Sequence, residues 1–446
     1  LCRQYGYQRI GYYVSLLAAA RGHRPLPSVD TLQSIRLASV VRSVSEELDE
    51  TIRRSLAPLK SDTFELSIYF GANVAQRYRR LSKALFNQFP APLLRATFLR
   101  DADTWRLQSL RPIANSEIPA SHHDFVVEQA ARYFTRRQSP RRPRRAVRYD
   151  LAILWDPDEV DSPSDERAVK RFVRAAREQD IAATIIDDDD YGRIAEYDAL
   201  FIRQTTYVNH ITYRFARRAA QEGLVVIDDP ESIIRCTNKV YQAELFERTG
   251  IPCPQTLIVD GHNVDQVVKT IGLPCVLKQP DSSFSQGVVR VETREALERQ
   301  LGRFMEESEL AVAQEWIPSA FDWRVGVLDG QPLFVCRYHM ARGHWQVVKS
   351  SGVAARRYGR VEAVALTDTP PGILRVAVDA AARVGNGLYG VDVKLVDDRI
   401  VVMEVNDNPN IDAGNEDAIM GMELYRAIMR SFRQRLDARG GRSAER

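Results

Sequence analysis

The stretch "RRQSPRRPRR", Arg136 to Arg145, limits what this chain can fold into more than any other ten residues of it. Proline fixes φ and donates no N–H, so Pro140 and Pro143 stop a helix or a central strand. The six arginines of the run repel one another and bring nothing apolar to bury. The run, extended to 136–147, therefore reads as a linker. The 446 residues divide into parts that each need their own core. A hydrophobic content of 44% against 27% charged residues can supply those cores. No apolar run approaches the roughly 18 residues of a membrane-spanning helix, and no secretory leader pattern is present. The opening "LCRQYGYQRIGYY" reads as mid-domain sequence, so the start of the first domain is expected to be truncated. Cys2, Cys236, Cys253, Cys275 and Cys336 are scattered and never in CxxC spacing, which predicts a reducing, cytoplasmic setting without disulfides or a zinc site.

The net charge of +3 conceals a split, with residues 1–148 near +13 and the remainder near −10. An anionic partner for the basic part, nucleic acid or an acidic substrate, is one reading. Attraction between the two parts, or arginine-rich helices with a solvated face, is the plainer one. Only eight of the 62 basic residues are lysine, and four of them, Lys239, Lys278, Lys349 and Lys394, fall in polar spots between apolar runs.

Residues 1–140 alternate helical and strand patterns without visible chemistry. "SVSEELDETIRRSL" has helical periodicity, "FELSIYFG" reads as a strand, "NVAQRYRRLSKALFNQFPAPLL" as a helix stopped by Pro90, and "TWRLQSLRPI" as a strand, which fits an α+β domain. Residues 148–235 run strand, helix, strand, strand, helix, strand. That order implies a small parallel α/β domain, and no GxGxxG follows its first strand. "DDDD", Asp187 to Asp190, is expected in a solvated loop. From 236 to 437 come a helix opened by Lys239, the strand–loop–strand "LPCVLKQPDSSFSQGVVRV", and two strands joined through Asp329-Gly330. Helix Ile373–Val384, the hairpin "YGVDVKLVDDRIVVMEVNDNP" and a closing helix from about Met420 to Arg435 complete the part. Residues 438–446 read as a disordered tail.

The hairpin carries the strongest chemical signal. Period-2 alternation puts Asp392 and Lys394 on one face, opposite Val391, Val393 and Leu395, and Glu404 shares a face with Asn406. With a turn at Asp397-Asp398-Arg399, Val396 pairs with Ile400 and Asp392 lies opposite Glu404. Directly opposed side chains have Cβ atoms roughly 5 Å apart, and two carboxylates that close repel unless a cation intervenes. With the Asn406 amide this is an all-oxygen set, suited to Mg²⁺ or Mn²⁺ and not to zinc. A half-exposed hairpin with a wet polar face is the alternative. Lys278, ending an apolar strand before the small-residue loop "PDSSFSQG", outlines a phosphate cradle. Arg324 and Arg337, on neighbouring strands at positions expected to face one side, could clamp a phosphoryl group. Each of these has a surface-residue alternative, a snorkelling lysine or a salt-bridged arginine.

The order of these parts resembles the ATP-grasp superfamily, and within it the RimK-type α-L-glutamate ligases. "EVNDNPNIDAGNEDA", with "GYYVSLLAAARGHRPLPS", "RSLAPLKSDTFELSIYFG" and "FPAPLL" near the start, is similar to the subgroup with a RimK-like ATP-grasp N-terminal domain. The resemblance implies an N-terminal α+β domain, a pre-ATP-grasp α/β domain and a two-lobed ATP-grasp domain. It implies Asp392, Glu404 and Asn406 as ligands of two Mg²⁺ or Mn²⁺ ions. It places Lys239, Lys278, Ser283, Ser285 and Gly287 around the ATP phosphates, and Asn408 with Arg324 and Arg337 near the transferred one. Glu315, Trp316 and Ile317 match the hinge whose backbone reads adenine, and Asp322 matches the ribose carboxylate. The loop "RGHWQVVKSSG" departs from the family's Arg-Ser-Asn run, with Lys349 or Arg342 as replacement cation.

The implied activity is ATP-dependent ligation of a carboxylate to an amine through an acyl phosphate, with glutamate or a similar amino acid as one partner. A peptide, protein or small molecule is the other, and a homo-oligomer is expected. A glutathione-synthetase-like small-molecule ligase is one rival. A nucleic-acid or ribosome-binding protein with a regulatory ATP site is another, and salt-sensitive RNA binding would mark it.

Overall fold

The structure is a computed structural model describing residues 4–21, 23, 25–101, 104–135, 148–281, 287–341, 348–350 and 356–444. The expected linker at 136–147 lies outside the described residues, as do Ser283, Ser285 and Arg342. Two compact units result, one within residues 1–145 and 189–196, the other within 146–188 and 197–446.

The first unit is α+β. Strands Thr63–Tyr69, Leu93–Asp101 and Thr104–Pro112 form an antiparallel sheet in chain order. The middle strand escapes the sequence reading because Leu93 and Leu99 put apolar residues on the face opposite Leu94, Ala96 and Phe98. "SVSEELDETIRRSL" is two helices, Ala38–Glu47 and Asp49–Leu56, parted at Leu48. Asp49 and Glu50 stabilise the start of the second, where carboxylates favour the helix N-terminus. Ile52 and Leu56, one turn apart, are fully buried in a core with Leu66, Leu81, Leu85 and Phe98. Asp187–Asp189 are exposed, as expected, but the stretch is not all loop. A 3₁₀ helix, Asp188–Glu196, begins there; Lys83 pairs with Asp189, and Arg193 reaches Asp190 and Glu196 at 3.1 Å each.

The second unit begins with four parallel strands, in spatial order Ile181–Ile186, Tyr149–Leu154, Ala199–Ile202, Val225–Ile227. The order reverses between Tyr149–Leu154 and Ala199–Ile202, and sheets of this kind hold ligands outside the carboxyl ends of the strands at such a point. Helix Glu166–Glu178 covers the sheet, and so does the closing helix. Phe172 meets Phe201 and Tyr425 with ring centroids 5.0 and 4.7 Å apart, and Phe432 meets Phe201 at 5.4 Å. The closing helix spans Met422–Ala444, so the tail expected to be disordered is helical through residue 444. Arg439 anchors that extension by donating to the Asp198 carbonyl at 3.2 Å.

Two antiparallel sheets follow. One orders Val288–Val291, Cys275–Lys278, Ala311–Glu315 and Thr256–Val259. The other orders Val361–Val364, Gln331–His339, Phe321–Leu328, Leu388–Val396 and Arg399–Asn406. Val325, Val391, Val393 and Val405 pack one face of the second sheet against Ala377 and Ala381 of helix Pro371–Val384. Period 2 then leaves Arg324, Asp392, Glu404 and Asn406 on the other face.

Candidate active site

Asp392 does lie opposite Glu404, by a route the sequence does not display. The turn is two residues, Asp397 and Asp398, both with positive φ, so Val396 pairs with Arg399. That register alone would misalign the carboxylates. Met403 is an extra residue between the Val393–Val402 and Asp392–Glu404 pairs, and this bulge restores the alignment.

On its other side Asp392 faces Arg324. The guanidinium grips both carboxylate oxygens, Nε to Oδ1 and Nη2 to Oδ2 at 2.6 Å each. Asn406 Nδ2 is 3.3 Å from Asp392 Oδ2 and 3.4 Å from Glu404 Oε1, bridging the two acids. Burial, opposed by Arg324 and helped by repulsion from Glu404, pushes Asp392 up to about 6. Burial pushes Glu404 the same way, but Lys239, Lys278 and Arg324 together hold it below its ordinary value. One acid is therefore matched by a single arginine and the other by three cations.

Lys239 opens helix Lys239–Thr249 behind the cap residue Asn238, whose Oδ1 accepts the Tyr241 N–H at 3.0 Å. Lys278 ends its strand and is almost fully buried. Both line one cleft with Glu404, Gln242, Thr256 and Gln314. Burial lowers both ammonium groups, Lys278 to about 8. Across the strand gap, Gly287 has φ +65, and a Cβ there would sit 2.3 Å from Gln279 Oε1. Glycine lets the chain return at that point without strain or clash.

The expected hinge is held from its side chains. Glu315 accepts a two-pronged bond from Arg399 at 2.7 and 2.8 Å. Arg290 lies 3.7 Å over the Trp316 ring. Lys394 bonds the Ile317 carbonyl at 3.1 Å, Ser319 Oγ at 2.6 Å and Asp322 at 3.0 Å. Lys394 thus fixes both the hinge and the expected ribose carboxylate, from a position two residues past Asp392. Arg399 is half exposed, so Arg399→Ala is expected to cost no more than about 1 kcal/mol in thermal unfolding.

One expectation fails on geometry. Arg337 does not share the face of Arg324: it pairs with Trp323, while Arg324 pairs with Cys336. The Asp329-Gly330 turn is as expected, but Leu333 is an extra residue between the Val327–Pro332 and Gly326–Phe334 pairs. A one-residue shift turns every later side chain over. Arg337 consequently stacks on Trp323 and Phe321, 4.6 and 5.1 Å from their ring centres. Asn408, expected near the transferred phosphate, is held through its side chain. It accepts from Arg203 Nη1 at 2.7 Å and donates to the Gln204 carbonyl at 2.5 Å.

Gln242 and Arg203 are residues that sequence reasoning passes over. Gln242 brackets the backbone of Val405, donating to its carbonyl at 2.9 Å and accepting its N–H at 2.8 Å. Arg203 and Gln204 directly follow strand Ala199–Ile202 in "YDALFIRQ", and polar residues just past the carboxyl end of a buried parallel strand were the available signal. Gly390, opposite Asn406, has no room for a side chain: a Cβ would lie 2.8 Å from Pro409 Cβ. Gly390→Ala is expected to destabilise the protein by about 1–3 kcal/mol, read as a lower melting temperature.

Among the described residues no group of three or more His, Cys, Asp or Glu side chains could hold a metal ion. Asp392, Glu404 and Asn406 form a different donor set, two facing carboxylates and an amide. It fits a hard divalent cation that completes its shell with water and phosphate oxygens.

Comparison with known proteins bears on the family and the fold. Residues 236–431 match the RimK-like ATP-grasp domain and residues 1–129 the RimK-like ATP-grasp N-terminal domain. A probable alpha-L-glutamate ligase of Sodalis glossinidius is 26% identical over 254 residues, 56% of this chain and 82% of the relative. A probable alpha-L-glutamate ligase 2 of Pseudoalteromonas atlantica is 27% identical over 220 residues, 48% of this chain and 70% of the relative. Among solved structures, D-alanine–D-alanine ligase from Bacillus anthracis superposes with a TM-score of 0.51 at 14% identity, covering 66% of this chain and all of that one. D-cycloserine synthetase gives 0.51 at 17%, covering 64% and 99%. These two likenesses show a shared fold, and the matched domain identifies it as ATP-grasp. Together the two matched domains span most of the sequence, and the chain belongs to the RimK-like ATP-grasp family.

Proposed function

We propose that this protein adds glutamate or a similar amino acid to a carboxylate or amine partner at the expense of ATP, using the face-to-face acids of its hairpin. The broad activity, ATP-dependent carboxylate–amine ligation, is that of an ATP-grasp ligase. The observation that carries the reading is Asp392 opposite Glu404, with Arg324 gripping the first and Lys239 and Lys278 lining a cleft with the second.

In the reaction a substrate carboxylate oxygen attacks the γ-phosphorus of ATP. The bond from phosphorus to the ADP oxygen breaks, and an acyl phosphate forms. An amine nitrogen then attacks the acyl carbon, the carbon–oxygen bond to phosphate breaks, the nitrogen loses a proton, and phosphate leaves. We assign Lys239 and Lys278 to the phosphate oxygens of ATP, where fixed positive charge offsets charge developing at the phosphoryl group. Arg324 is assigned to the transferred phosphoryl group, and Arg337, on the other face, is not. We assign adenine to the Glu315–Ile317 backbone and the ribose to Asp322; Lys394 holds the Ile317 carbonyl and Asp322 in place for that orientation. Asp392, Glu404 and Asn406 would hold Mg²⁺ or Mn²⁺, two ions by family analogy, which when bound neutralises phosphate charge.

The test is phosphate release from ATP with Mg²⁺, screening the twenty amino acids singly and in pairs together with glutamyl peptides. Mass spectrometry reads the products. Release that needs glutamate, with product mass short of its parts by one water per bond, supports the reading. ATP binding without release for any small substrate would redirect the search to a macromolecular acceptor. Salt-sensitive RNA binding without any ligation would overturn the reading in favour of a regulatory ATP site.

A further inference from the structure

Arg203 has no exposed surface. Taking a guanidinium out of water costs several kcal/mol unless its N–H groups are satisfied. Its hydrogen bonds go to uncharged oxygens: Nε to Ser164 Oγ at 3.0 Å, Nη1 to Asn408 Oδ1 at 2.7 Å, and Nη2 to the carbonyls of Pro163 at 2.6 Å and Pro409 at 2.9 Å. The ring of Phe201 lies 5.3 Å away. A planar fork is the side chain that can bond four oxygens on two backbone segments, 163–164 and 408–409, at once; a single ammonium cannot.

What the fork holds is the exit of the acidic hairpin. Asn408 has φ +21, a backbone setting that non-glycine residues keep only when their surroundings impose it. Three bonds impose it: the one from Arg203, the one to the Gln204 carbonyl, and the Asn408 N–H to Asp228 Oδ2 at 3.1 Å. On the strand side of Asn406, Gln242 fixes Val405 through both backbone groups. Asn406 therefore sits between two clamps, and Pro409, held by Arg203, closes over Gly390 directly opposite Asn406.

We propose that Arg203 is a positioning residue for the divalent cation site, acting through Asn408 and Pro409 to fix where Asn406 leaves its strand. This rests on the reading of Asp392, Glu404 and Asn406 as the cation's ligands. Partners one shell removed from a metal set affinity by about 10–100-fold, and that is the scale expected here.

The experiment uses the full chain and Mn²⁺ as probe, with binding read by electron paramagnetic resonance in the presence of a non-hydrolysable ATP analogue. Arg203→Ala and Arg203→Lys are expected to weaken Mn²⁺ binding by about 10-fold or more, with the ATP-analogue affinity changed by less than about twofold. Free guanidinium is expected to restore Mn²⁺ affinity to Arg203→Ala and to do nothing for Arg203→Lys. A purely structural arginine would lower the melting temperature and leave Mn²⁺ affinity alone, and that outcome overturns the proposal. Asn408→Ala removes only the acceptor, so it decides the matter should Arg203→Ala not fold: the same loss supports the proposal, and unchanged affinity overturns it. Failure of the underlying ligand reading has its own signature. Asp392→Asn would then bind Mn²⁺ as tightly as the unaltered chain.

Discussion

Glu404→Gln is expected to lower ATP-dependent phosphate release by about 10²–10³-fold, the scale of losing one preorganised charge at a reacting centre. The substitution keeps shape and removes only the charge. Glu404 is the acid held ionised by Lys239, Lys278 and Arg324, whereas Asp392 already has both oxygens on Arg324. Neutralising Glu404 therefore deprives the cation site of its best-ionised ligand and takes from buried Lys278 and half-buried Lys239 a carboxylate that offsets their charge. Glu404 is also what draws the Lys278 proton affinity upward against burial. In Glu404→Gln the residual activity should thus lose its alkaline limb at a lower pH than the parent. Steady-state phosphate release across pH measures both effects. Activity within tenfold of the parent, with an unmoved limb, would remove Glu404 from the reacting centre.

The two hairpins show what a sequence can and cannot disclose. Alternation around Asp392 and Glu404 is visible because period 2 needs no knowledge of the partner strand. Register is another matter. In the Leu388–Asn406 hairpin the two-residue turn and the Met403 bulge are separate departures from the simple reading, and they cancel. In the Phe321–His339 hairpin the turn is the expected one and the Leu333 bulge stands alone, so Arg337 lands on the wrong face. A bulge leaves little local mark in composition, since its cause is packing across the sheet. Lys239 and Lys278 were legible as rare lysines at element ends. Arg203 was not, because its partners Asn408 and Pro409 lie 205 and 206 residues away. The same holds for the end of the chain, where "DARGGRSAER" looks disordered until Asp198 supplies an acceptor for Arg439.

Lys278→Met is expected to move activity and stability in opposite directions. Burial lowers Lys278 to about 8 in the folded protein, against about 10.4 for a free lysine. Below pH 8 the folded protein carries this buried charge, and above it the group is neutral. Since the ammonium is what would meet the phosphates, kcat/KM for ATP should fall as pH rises through about 8 in the parent. Lys278→Arg, which stays charged, should lose that limb while keeping measurable activity. Lys278→Met should be about 10²-fold slower at pH 7 and show no limb at all. Stability runs the other way. Between the folded and unfolded values the unfolded chain binds the extra proton, so the parent gains stability as pH rises through that window. The cost of the buried charge is fully present below pH 8, where Lys278→Met should melt higher than the parent. The gap should shrink toward pH 10. Melting curves of the ATP-free proteins at pH 7 and pH 10, beside the pH–rate profile, test both signs. Equal melting at pH 7 together with a flat alkaline profile would mean that no charge is buried at Lys278, and its assignment to the phosphates would fall.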